Sequence, residues 1–450
     1  MRIFLVTYYY PPDPAVGAIR PWRVARALAA AGHEVHVVTA ATEGKPHPGT
    51  RESSGPTIWP VRLQPNLREL TLRARNFFRR ESTGTPDLRS ATPYSTESAA
   101  HRPGTVPAWK RYLYSLMWLP DDRQGFIWPA YRALEALAPT PRDVLYTTGP
   151  PFSSHLPALL TRLRYGCHWV MEYRDPWSGN AAKPWWVRSR WTDAVDRRLE
   201  SFCQSRCSLV VTVSESLRQR VLRNKALAPE RVITVLSGIE NYLTPKTPDR
   251  AAPPFRILHT GTLYFGRDPR PFLLGLASLV RADHLGPETI QVEFVGNCRV
   301  YAGASMAEVT EQMGLREIVR LEDWIPQSDI AKRMAEADAL LLLAQDQPEQ
   351  IPNKLYDYLG ARRPILAFAD ASGETACMLR QLKGNIVLAE HEWEPAAVAA
   401  ALKTLMARTR NPAPAPGEDE EILSAWSSER QLAVLVRHIE ALDAGTSVSP

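Results

Sequence analysis

The sequence predicts an α/β fold made of two Rossmann-like domains that face each other across a cleft. Each half of the chain begins with a short β-rich run, followed by a turn, a helix and a second buried strand: "RIFLVTYY" to "EVHVVTA" first, and "FRILHTGTL" to "IQVEFVGN" later. Strands joined by a helix at this spacing pair in parallel. A Pro-rich polar segment, "YLTPKTPDRAAPP", separates the two halves. Domains of this kind bind ligands at the carboxyl ends of their strands.

The first domain is predicted over residues 1–240. Its first helix, "IRPWRVARALAAAGH", has a helical hydrophobic period. The residues expected near one face of that helix are Ile19, Trp22, Ala25, Leu28 and Ala29. Strands and helices then alternate from "DVLYTTGPP" through "SSHLPALLTRLRYG" and "HWVMEYRDPW" to "SLVVTVSESLRQRVL".

A long irregular insertion is predicted over residues 43–105, which are rich in Pro, Gly, Ser, Thr and Arg. It contains one candidate helix, "LRELTLRARNFFRR". The arginines of that helix lie beside Phe77 and Phe78 and, with "WKRYLYSLMW" at 109–118, form a basic aromatic zone. Such a zone is typical of segments that lie on an anionic bilayer. An exposed helix that covers a core would show the same pattern, and the sequence leaves both interpretations open.

After a linker at 241–254, the second domain is predicted over residues 255–422. Its pattern restarts with a strand and the helix "DPRPFLLGLASLV", and it includes "DALLLLAQ", a strand whose composition indicates complete burial. The last predicted segment, residues 423–450, is a helix that is expected to return to the first domain.

Composition and charge limit the possible partners. Apolar residues make up 44% of the chain and charged residues 23%, as in soluble globular proteins. No run of 18 apolar residues occurs, and the apolar run at the N-terminus is too short for a signal peptide, so we expect a cytoplasmic protein. The net charge of +6 is uneven, because residues 1–240 have 33 Lys and Arg against 20 Asp and Glu. A basic half favours an anionic partner: nucleic acid, a phosphorylated metabolite or an acidic membrane.

Two cysteines at helical spacing, Cys203 and Cys207, could suggest a metal pair. No His or Cys cluster completes such a site, so we expect both to be small buried apolar residues. No metal and no cofactor are predicted.

The segment "EQIPNKLYDYLGARRPILAF" is the main candidate for chemistry. It follows a buried strand, and Pro352 suits the first turn of a helix, whose N-terminal amides attract phosphate. Lys354 adds positive charge, and the carboxylates of Glu349 and Asp357 can accept paired hydrogen bonds from sugar hydroxyls. The alternative is a solvated Glu349 and a surface Asp357 paired with Arg362.

A second candidate loop, "HTGTLYFGRDPRP", follows the first strand of the second domain. Gly261 would allow close backbone approach, and Arg267 could bind a diphosphate. An ordinary βα turn with a surface arginine is the alternative. Gly17 occupies the matching loop of the first domain. Neither a dinucleotide-binding glycine motif nor a Walker A lysine loop is present, which argues against redox and kinase functions.

Together these motifs resemble group 1, GT4-type glycosyltransferases of the GT-B fold, over nearly the whole chain. The resemblance rests on "YYYPPDPAVGAIRPWRVARALAAAGHEVHVVT", "TTGPPFSSHLPALL", "WVMEYRDPW", "HTGTLYFGRDP", "DIAKRMAEADALLLL" and "IPNKLYDYLGARRPIL". The family's pair of acids separated by seven residues appears as Glu349 and Asp357. The subset with "PxKLxxYL" and "RDPW" is similar to enzymes that build bacterial surface polysaccharides.

The resemblance implies a retaining, metal-independent enzyme that uses a nucleotide-diphosphate sugar. Glu349 would face the donor sugar, Asp357 the ribose, and Arg267 with Lys354 the diphosphate. The catalytic residues implied are Glu349 and Arg267, with Asp175 as a further candidate for a sugar or acceptor contact. The donor-binding residues implied are Gly17, Gly261, Thr262, Arg267, Asn353, Lys354, Leu355 and Asp357.

The chain departs from the family pattern at several of these positions. The second acid is Asp357 rather than Glu, and the family's glycine–arginine pair reads Gly261-Thr262. Where many members have a histidine, this chain has Arg174 and Asp175. Asp175 could equally cap the following turn. His155 and Arg174 are candidates for the acceptor side, although packing on the strand ends is the better expectation for His155.

The function predicted is transfer of a sugar to a saccharide or polyprenyl-linked acceptor in cell-surface polysaccharide synthesis. The protein would be cytoplasmic, with peripheral contact to the anionic inner face of the plasma membrane. A sugar-nucleotide 2-epimerase of the same fold and a non-catalytic nucleotide-sugar-binding scaffold remain alternatives. Nucleic-acid binding is not predicted, because no binding motif accompanies the positive charge.

Overall fold

A computed structural model describes most of the chain as two compact units. The described residues are 1–41, 47–51, 55–66, 115, 118–180, 189–224, 227–243, 254–264, 266–410 and 417–444. The first unit comprises Met1–Leu236 together with Leu432–Pro450, and the second comprises Ser237–Gln431. Within the described residues, no helix is both long and apolar enough to cross a membrane.

The first unit is built on an eight-stranded sheet in the order β3-β4-β2-β1-β5-β6-β7-β8. Its strands are β1 (Arg2–Val6), β2 (Glu34–Ala40), β3 (Thr50–Arg51), β4 (Thr57–Val61), β5 (Val144–Gly149), β6 (His168–Tyr173), β7 (Leu209–Thr212) and β8 (Val232–Thr234). Its helices are α1 (Ile19–Ala30), α2 (Ile127–Ala136), α3 (His155–Tyr165), α4 (Arg190–Arg206) and α5 (Glu215–Val221). All pairs are parallel except the short pair of β3 with β4.

Helices cover both faces of this sheet, as expected for parallel strands with apolar residues on both sides. Phe4 and Val6 of β1 face a core that includes residues of α2, α3 and α4. Ile3 and Leu5 face the opposite core, which contains residues of α1. The last helix of the chain also packs there, through Leu435 and Ile439, both fully buried.

Two sequence expectations for the first unit are wrong in detail. Ile19, predicted on the buried face of α1, is 43% exposed, whereas Arg20 is buried. Arg20 turns inward because it forms an ion pair with the buried carboxylate of Glu172, at 2.9 Å. The predicted irregular insertion at 43–105 also begins too early, since β4 lies within it and pairs with β2. Its Pro60 is tolerated because β3 pairs only with the first residues of β4, which leaves Pro60 at an open edge.

The second unit has a six-stranded, wholly parallel sheet in the order β13-β10-β9-β14-β15-β16, and a separate two-stranded hairpin. Its strands are β9 (Phe255–Thr260), β10 (Ile290–Val295), β11 (Val300–Tyr301), β12 (Ala304–Ser305), β13 (Val319–Glu322), β14 (Ala339–Ala344), β15 (Ile365–Ala369) and β16 (Ile386–Leu388). Its helices are α6 (Arg270–Asp283), α7 (Met306–Gln312), α8 (Gln327–Glu336), α9 (Asn353–Ala361), α10 (Glu374–Arg380), α11 (Pro395–Arg410) and α12 (Gly417–Ala425), and α13 (Ser428–Ala444) leads into the first unit.

The predicted α/β class with two Rossmann-like parallel sheets is confirmed. β14 reads "ALLLLA" and all six of its residues are buried, as its composition predicted. The candidate helix at 67–80, almost all of the basic aromatic zone and most of the linker lie outside the described residues.

Candidate functional site

The end of β9 in the second unit is the point where the predicted donor-site residues meet. Gly261 directly follows β9 and has φ of +112°. A Cβ atom at this position would lie 2.4 Å from Lys354 Nζ and 2.9 Å from Lys354 Cε. The positive φ favours glycine here, and an added methyl group would displace the end of the Lys354 side chain.

Lys354 reaches this position because α9 is anchored to β9 one turn further on. The Tyr358 hydroxyl accepts a hydrogen bond from Thr260 N at 2.9 Å, and the tyrosine ring is fully buried. Residues four apart lie on the same face of a helix, so Lys354 faces the same strand end as Tyr358.

The Lys354 amine is buried, and the charge of Asp357 on the same helix only partly offsets the effect of that burial. Its Nζ has no hydrogen-bond partner among the described residues. Burial, and next the positive charge of Arg267, lower the pKa of the Lys354 ammonium well below its usual value. An anion placed between Lys354 and Arg267 would reverse this, because opposite charge favours the protonated form.

Arg267 is half-buried in the loop after β9. Its guanidinium carbon lies 4.3 Å from the centre of the Tyr264 ring. Its Nε is buried and has no hydrogen-bond partner in the described part of the chain. Two basic side chains with unused donors thus lie near each other, an arrangement suited to a diphosphate.

The loop that carries Glu349 is tied to the loop that carries Arg267. Gln345 Nε2 donates to the Asp268 carbonyl at 2.8 Å, and Gln347 Nε2 donates to the Gly266 carbonyl at 3.3 Å. Glu349 follows this contact and is half-buried. The two candidate loops of the sequence are therefore adjacent in space.

The other predicted donor-binding residues differ in their exposure to solvent. Asn353 and Asp357 of α9 are exposed, and Thr262 is half-buried next to Gly261. Leu355 is fully buried. Arg362, the partner suggested for a merely structural Asp357, forms an ion pair with Glu420 at 2.7 Å.

The predicted residues of the first unit gather at the carboxyl end of its sheet. Arg174 Nη1 donates to the Gly17 carbonyl at 2.6 Å, and its other terminal nitrogen donates to the Pro150 carbonyl. Arg174 therefore joins the loops after β1 and β5 and fixes the position of Gly17. Asp175 comes next in the chain and is half-buried.

A buried ion pair lies directly behind Arg174. Arg20 donates to Glu172 Oε1 and to the carbonyls of Val235 and Leu236, so it ties α1 to β6 and to the segment after β8. Burial alone would raise the pKa of Glu172, but the charge of Arg20 and nearby hydroxyl groups hold it below the usual value. The carboxylate therefore stays ionised, and its charge favours the protonated form of Arg174.

His155 packs in the core at the strand ends, which was expected in preference to a place on the acceptor side. It is fully buried, and its Nδ1 lies 2.8 Å from Thr147 Oγ1. Burial, and next the charge of Arg174, lower its pKa to about 3. The imidazole is therefore neutral at physiological pH.

The described residues give no indication of a metal site. No group of three or more His, Cys, Asp or Glu residues among them could hold an ion. Cys203 and Cys207 are free, buried thiols, as expected, and burial raises their pKa values, that of Cys207 to about 12.

Comparison with known proteins bears on both units. Residues 18–238 match the model of the glycosyl transferase 4-like domain. Residues 18–238 belong to the glycosyl transferase 4-like family, and the whole chain has the GT-B fold. No sequence among the curated proteins matches this chain.

Solved structures similar to this GT-B chain extend over its whole length. Sucrose-phosphate synthase from Thermosynechococcus elongatus has a TM-score of 0.61 at 14% identity and covers 99% of this chain and 100% of its own. HepE of Anabaena, solved with UDP, has a TM-score of 0.62 at 12% identity, with 98% and 99% covered. The N-terminal domain of Candida albicans trehalose-6-phosphate phosphatase has a TM-score of 0.65 at 12% identity, with 98% and 96% covered. At these identities the similarity concerns the fold.

The candidate site contains contacts that the sequence patterns did not predict. The contact of Lys354 with Gly261 and the anchoring of α9 by Tyr358 join segments more than ninety residues apart. The hydrogen bond from Arg174 to the Gly17 carbonyl joins residues 157 positions apart. The motif "PNKLYDYL" contains both Lys354 and Tyr358 four residues apart, which is the one signal that could have indicated their shared face.

Proposed function

We propose that this protein is a retaining glycosyltransferase that uses a nucleotide-diphosphate sugar and acts on a saccharide or lipid-linked acceptor in cell-surface polysaccharide synthesis. The observation that carries the proposal is the pair Lys354 and Arg267 at the end of β9, where a buried amine and a half-buried guanidinium have unused hydrogen-bond donors among the described residues. A diphosphate offers the charge and the acceptors that this pair lacks.

The proposed donor arrangement follows from the elements around this pair. The diphosphate would bind Arg267 and Lys354 beside Gly261 and Thr262, where Gly261 lets the backbone approach closely. Asp357, exposed on α9, would accept hydrogen bonds from the ribose hydroxyls. Glu349, in the loop that is tied to the Arg267 loop, would accept hydrogen bonds from the donor sugar.

The proposed reaction needs charge stabilisation rather than a metal. The bond from the anomeric carbon to the diphosphate breaks, the acceptor hydroxyl oxygen bonds to that carbon on the same face, and the hydroxyl proton leaves with the nucleoside diphosphate. Lys354 and Arg267 stabilise the negative charge that develops on the departing group. Arg174 and Gly17 shape the first unit's loops, where Asp175 would contact the acceptor.

Two comparisons support the choice of substrates. HepE has been solved with UDP-glucose, and a trehalose-phosphate synthase from Burkholderia xenovorans has been solved with glucose-6-phosphate. Both structures share the fold of this chain, with TM-scores of 0.57 and 0.58. By analogy with these two structures, we propose a nucleotide-sugar donor and a saccharide acceptor. We also propose that the protein acts in the cytoplasm at the inner face of the plasma membrane.

Thermal denaturation with UDP-, GDP-, ADP- and dTDP-sugars would identify the donor, because a ligand of the folded state raises the melting temperature. Products made from that donor, radiolabelled in its sugar, would then be analysed with and without a polyprenyl-linked acceptor. Transfer that requires the acceptor and is lost in Glu349→Gln and Arg267→Met supports the proposal. An isomerised nucleotide sugar without acceptor would indicate an epimerase, and donor binding without any product would indicate a scaffold; either result overturns the proposal.

A further inference from the structure

The outer surface of three neighbouring helices in the first unit has an unusual distribution of charge and apolar residues. α2, α3 and α4 pack side by side on one face of the sheet, with their inner residues in a common core. All residues of the three helices are described. We call their solvent-facing side the α2–α4 face.

Large apolar side chains are exposed on every one of these helices. The exposed residues are Trp128 on α2, Leu160 and Leu163 on α3, and Trp191 and Phe202 on α4. Trp128 and Trp191 are 46% and 42% exposed. Single exposed apolar residues are normal on a protein surface, but tryptophans are common where a protein meets a bilayer interface.

The charges exposed on the α2–α4 face are all positive. The exposed arginines are Arg132, Arg164, Arg190, Arg197, Arg198 and Arg206. No acidic residue within these three helices is exposed: Asp196 is buried, and Glu135, Asp193 and Glu200 are half-buried. Glu135 is paired with both Arg132 and Arg164, which leaves excess positive charge around it.

Arginine and aromatic side chains are also combined in direct contact here. Arg132 lies over the Trp128 ring at 4.9 Å, and Arg206 lies over the Phe202 ring at 5.2 Å. A shallow open groove along α4 is lined by Ala194, Arg197, Arg198 and Ser201. Helix α6 of the second unit differs in its exposed charges, because it has both Arg281 and Asp283 exposed as well as Leu274.

The two tryptophans occupy equivalent positions. Each is the second residue of its helix, and each helix ends just before the strand that follows it, β5 or β7. Because these strands are parallel, both helices begin on the side of the unit where the strands end. That side also carries Gly17 and Arg174.

From this geometry we propose that the α2–α4 face binds the surface of an anionic lipid bilayer. The arginines attract acidic headgroups, and Trp128, Trp191 and Phe202 insert at the interface, where aromatic rings are stable. This orientation holds the carboxyl end of the first unit's sheet beside the membrane. The inference deepens the proposed function, because it specifies how the enzyme reaches a lipid-linked acceptor, but its test requires no transfer.

Flotation of the full chain with vesicles tests the proposal. The wild type is expected to float with mixed phosphatidylcholine–phosphatidylglycerol vesicles, to float much less with phosphatidylcholine alone, and to be released by salt. Arg197→Gln/Arg198→Gln should lower the partition coefficient by roughly tenfold or more, since each arginine near an anionic surface contributes attraction. Trp128→Ser/Trp191→Ser should also weaken binding. Brominated lipids should quench the tryptophan fluorescence of the wild type more than that of this variant.

The matched control is Arg26→Gln/Arg437→Gln, which removes two exposed arginines from α1 and α13 on the other face of the same sheet. It should float as the wild type does. All variants should keep the wild-type melting temperature and nucleotide binding, which separates failure of this inference from failure of the proposed function.

Three results would overturn the inference: no flotation, equal flotation with both kinds of vesicle, or equal loss in face and control variants. A chain that is dimeric, becomes monomeric in the face variant and ignores vesicles would instead show that the face joins two copies.

Discussion

At the scale of single residues, the site depends on Lys354, whose protonation is expected to respond to the ligand. Lys354 Nζ lies against Gly261 with no anion in contact among the described residues, and burial keeps its pKa well below the usual value. A diphosphate would return the pKa towards that value, because it supplies the opposite charge. Donor binding should therefore be linked to uptake of a proton.

Calorimetry can measure this linkage directly. Titration of the wild type with the nucleoside diphosphate of the identified donor, in buffers of different ionisation enthalpy, should show uptake of up to one proton. Affinity should fall as the pH rises from the lowered pKa of free Lys354 to the higher pKa of the complex, by at most about tenfold per pH unit.

Lys354→Met should abolish the proton uptake and weaken binding by roughly tenfold or more, since a charge-assisted hydrogen bond is lost. Lys332→Met, which alters an exposed lysine of α8 in the same unit, is the matched control and should behave as the wild type. Undiminished proton uptake in Lys354→Met would contradict this account of the lysine.

His155 makes a second prediction at this scale. Its pKa is about 3 in the folded protein and its ordinary value is 6.5, so the unfolded chain binds the extra proton first as the pH falls. The stabilising contribution of neutral His155 is complete above pH 6.5 and should be lost on acidification from about 6.5 towards 3, at roughly 1.4 kcal/mol per pH unit.

Urea denaturation at pH 7.5 and pH 5.0 would measure this contribution. His155→Asn can retain a hydrogen bond to Thr147 but does not titrate, so its stability should fall less between the two pH values than that of the wild type. An identical fall in both proteins would contradict the assignment.

At the scale of elements, the site is a junction between the end of β9 and the start of α9. Gly261→Ala should damage it twice, because φ is +112° and the added methyl group would meet Lys354 Nζ at 2.4 Å. We expect a loss of roughly 1–3 kcal/mol in stability and severe loss of nucleoside diphosphate binding.

Gly384→Ala separates the two effects. Gly384 also has a positive φ, of +90°, but an added Cβ would have no neighbour within 4 Å among the described residues. This variant should lose some stability and bind nucleoside diphosphate normally. Equal loss of binding in both variants, measured by the same calorimetric titration, would show that the Lys354 contact has no special role.

The sequence predicted elements better than it predicted contacts. β14 was recognisable because "ALLLLA" is uniformly apolar, and α9 because Pro352 and the periodic residues after it are local signals. β4 was missed because a five-residue strand with Pro60 has no local signal that outweighs its Pro- and Gly-rich surroundings. The burial of Arg20 was missed because its cause, Glu172, lies 152 positions away.

The candidate site shows the same limit. The acids, Arg267 and Lys354 could be named from motifs, because the spacing within each loop is local. The alignment of distant strands in their sheets brings Lys354 against Gly261 and Arg174 to the Gly17 carbonyl. These two contacts could not be predicted from local spacing. Sequence patterns specify which face of an element is buried, but they do not specify which distant side chains pack against that face.

At the scale of the whole molecule, the chain ends in the unit where it began. The second unit begins at Ser237, and Ile239 pairs with Ser427 just before α13 leads back. Leu435 and Ile439 complete the core above α1. Leu435→Ala should therefore destabilise the first unit by about 2–5 kcal/mol, as large-to-small changes in a core do.

Hydrogen exchange of β1 and α1 would locate this effect in the first unit. Arg437→Ala, an exposed change on the same helix, should leave exchange there unaltered. Faster exchange confined to the second unit in Leu435→Ala would contradict this role for α13.

The central claim is that a nucleoside diphosphate binds at the end of β9, between Arg267 and Lys354. A crystal structure of the protein with the nucleoside diphosphate of its identified donor tests this most directly. We expect phosphate oxygens within hydrogen-bonding distance of Lys354 Nζ and the Arg267 guanidinium, beside Gly261. A diphosphate bound elsewhere, with Lys354 still buried against Gly261 and without a partner, would contradict it.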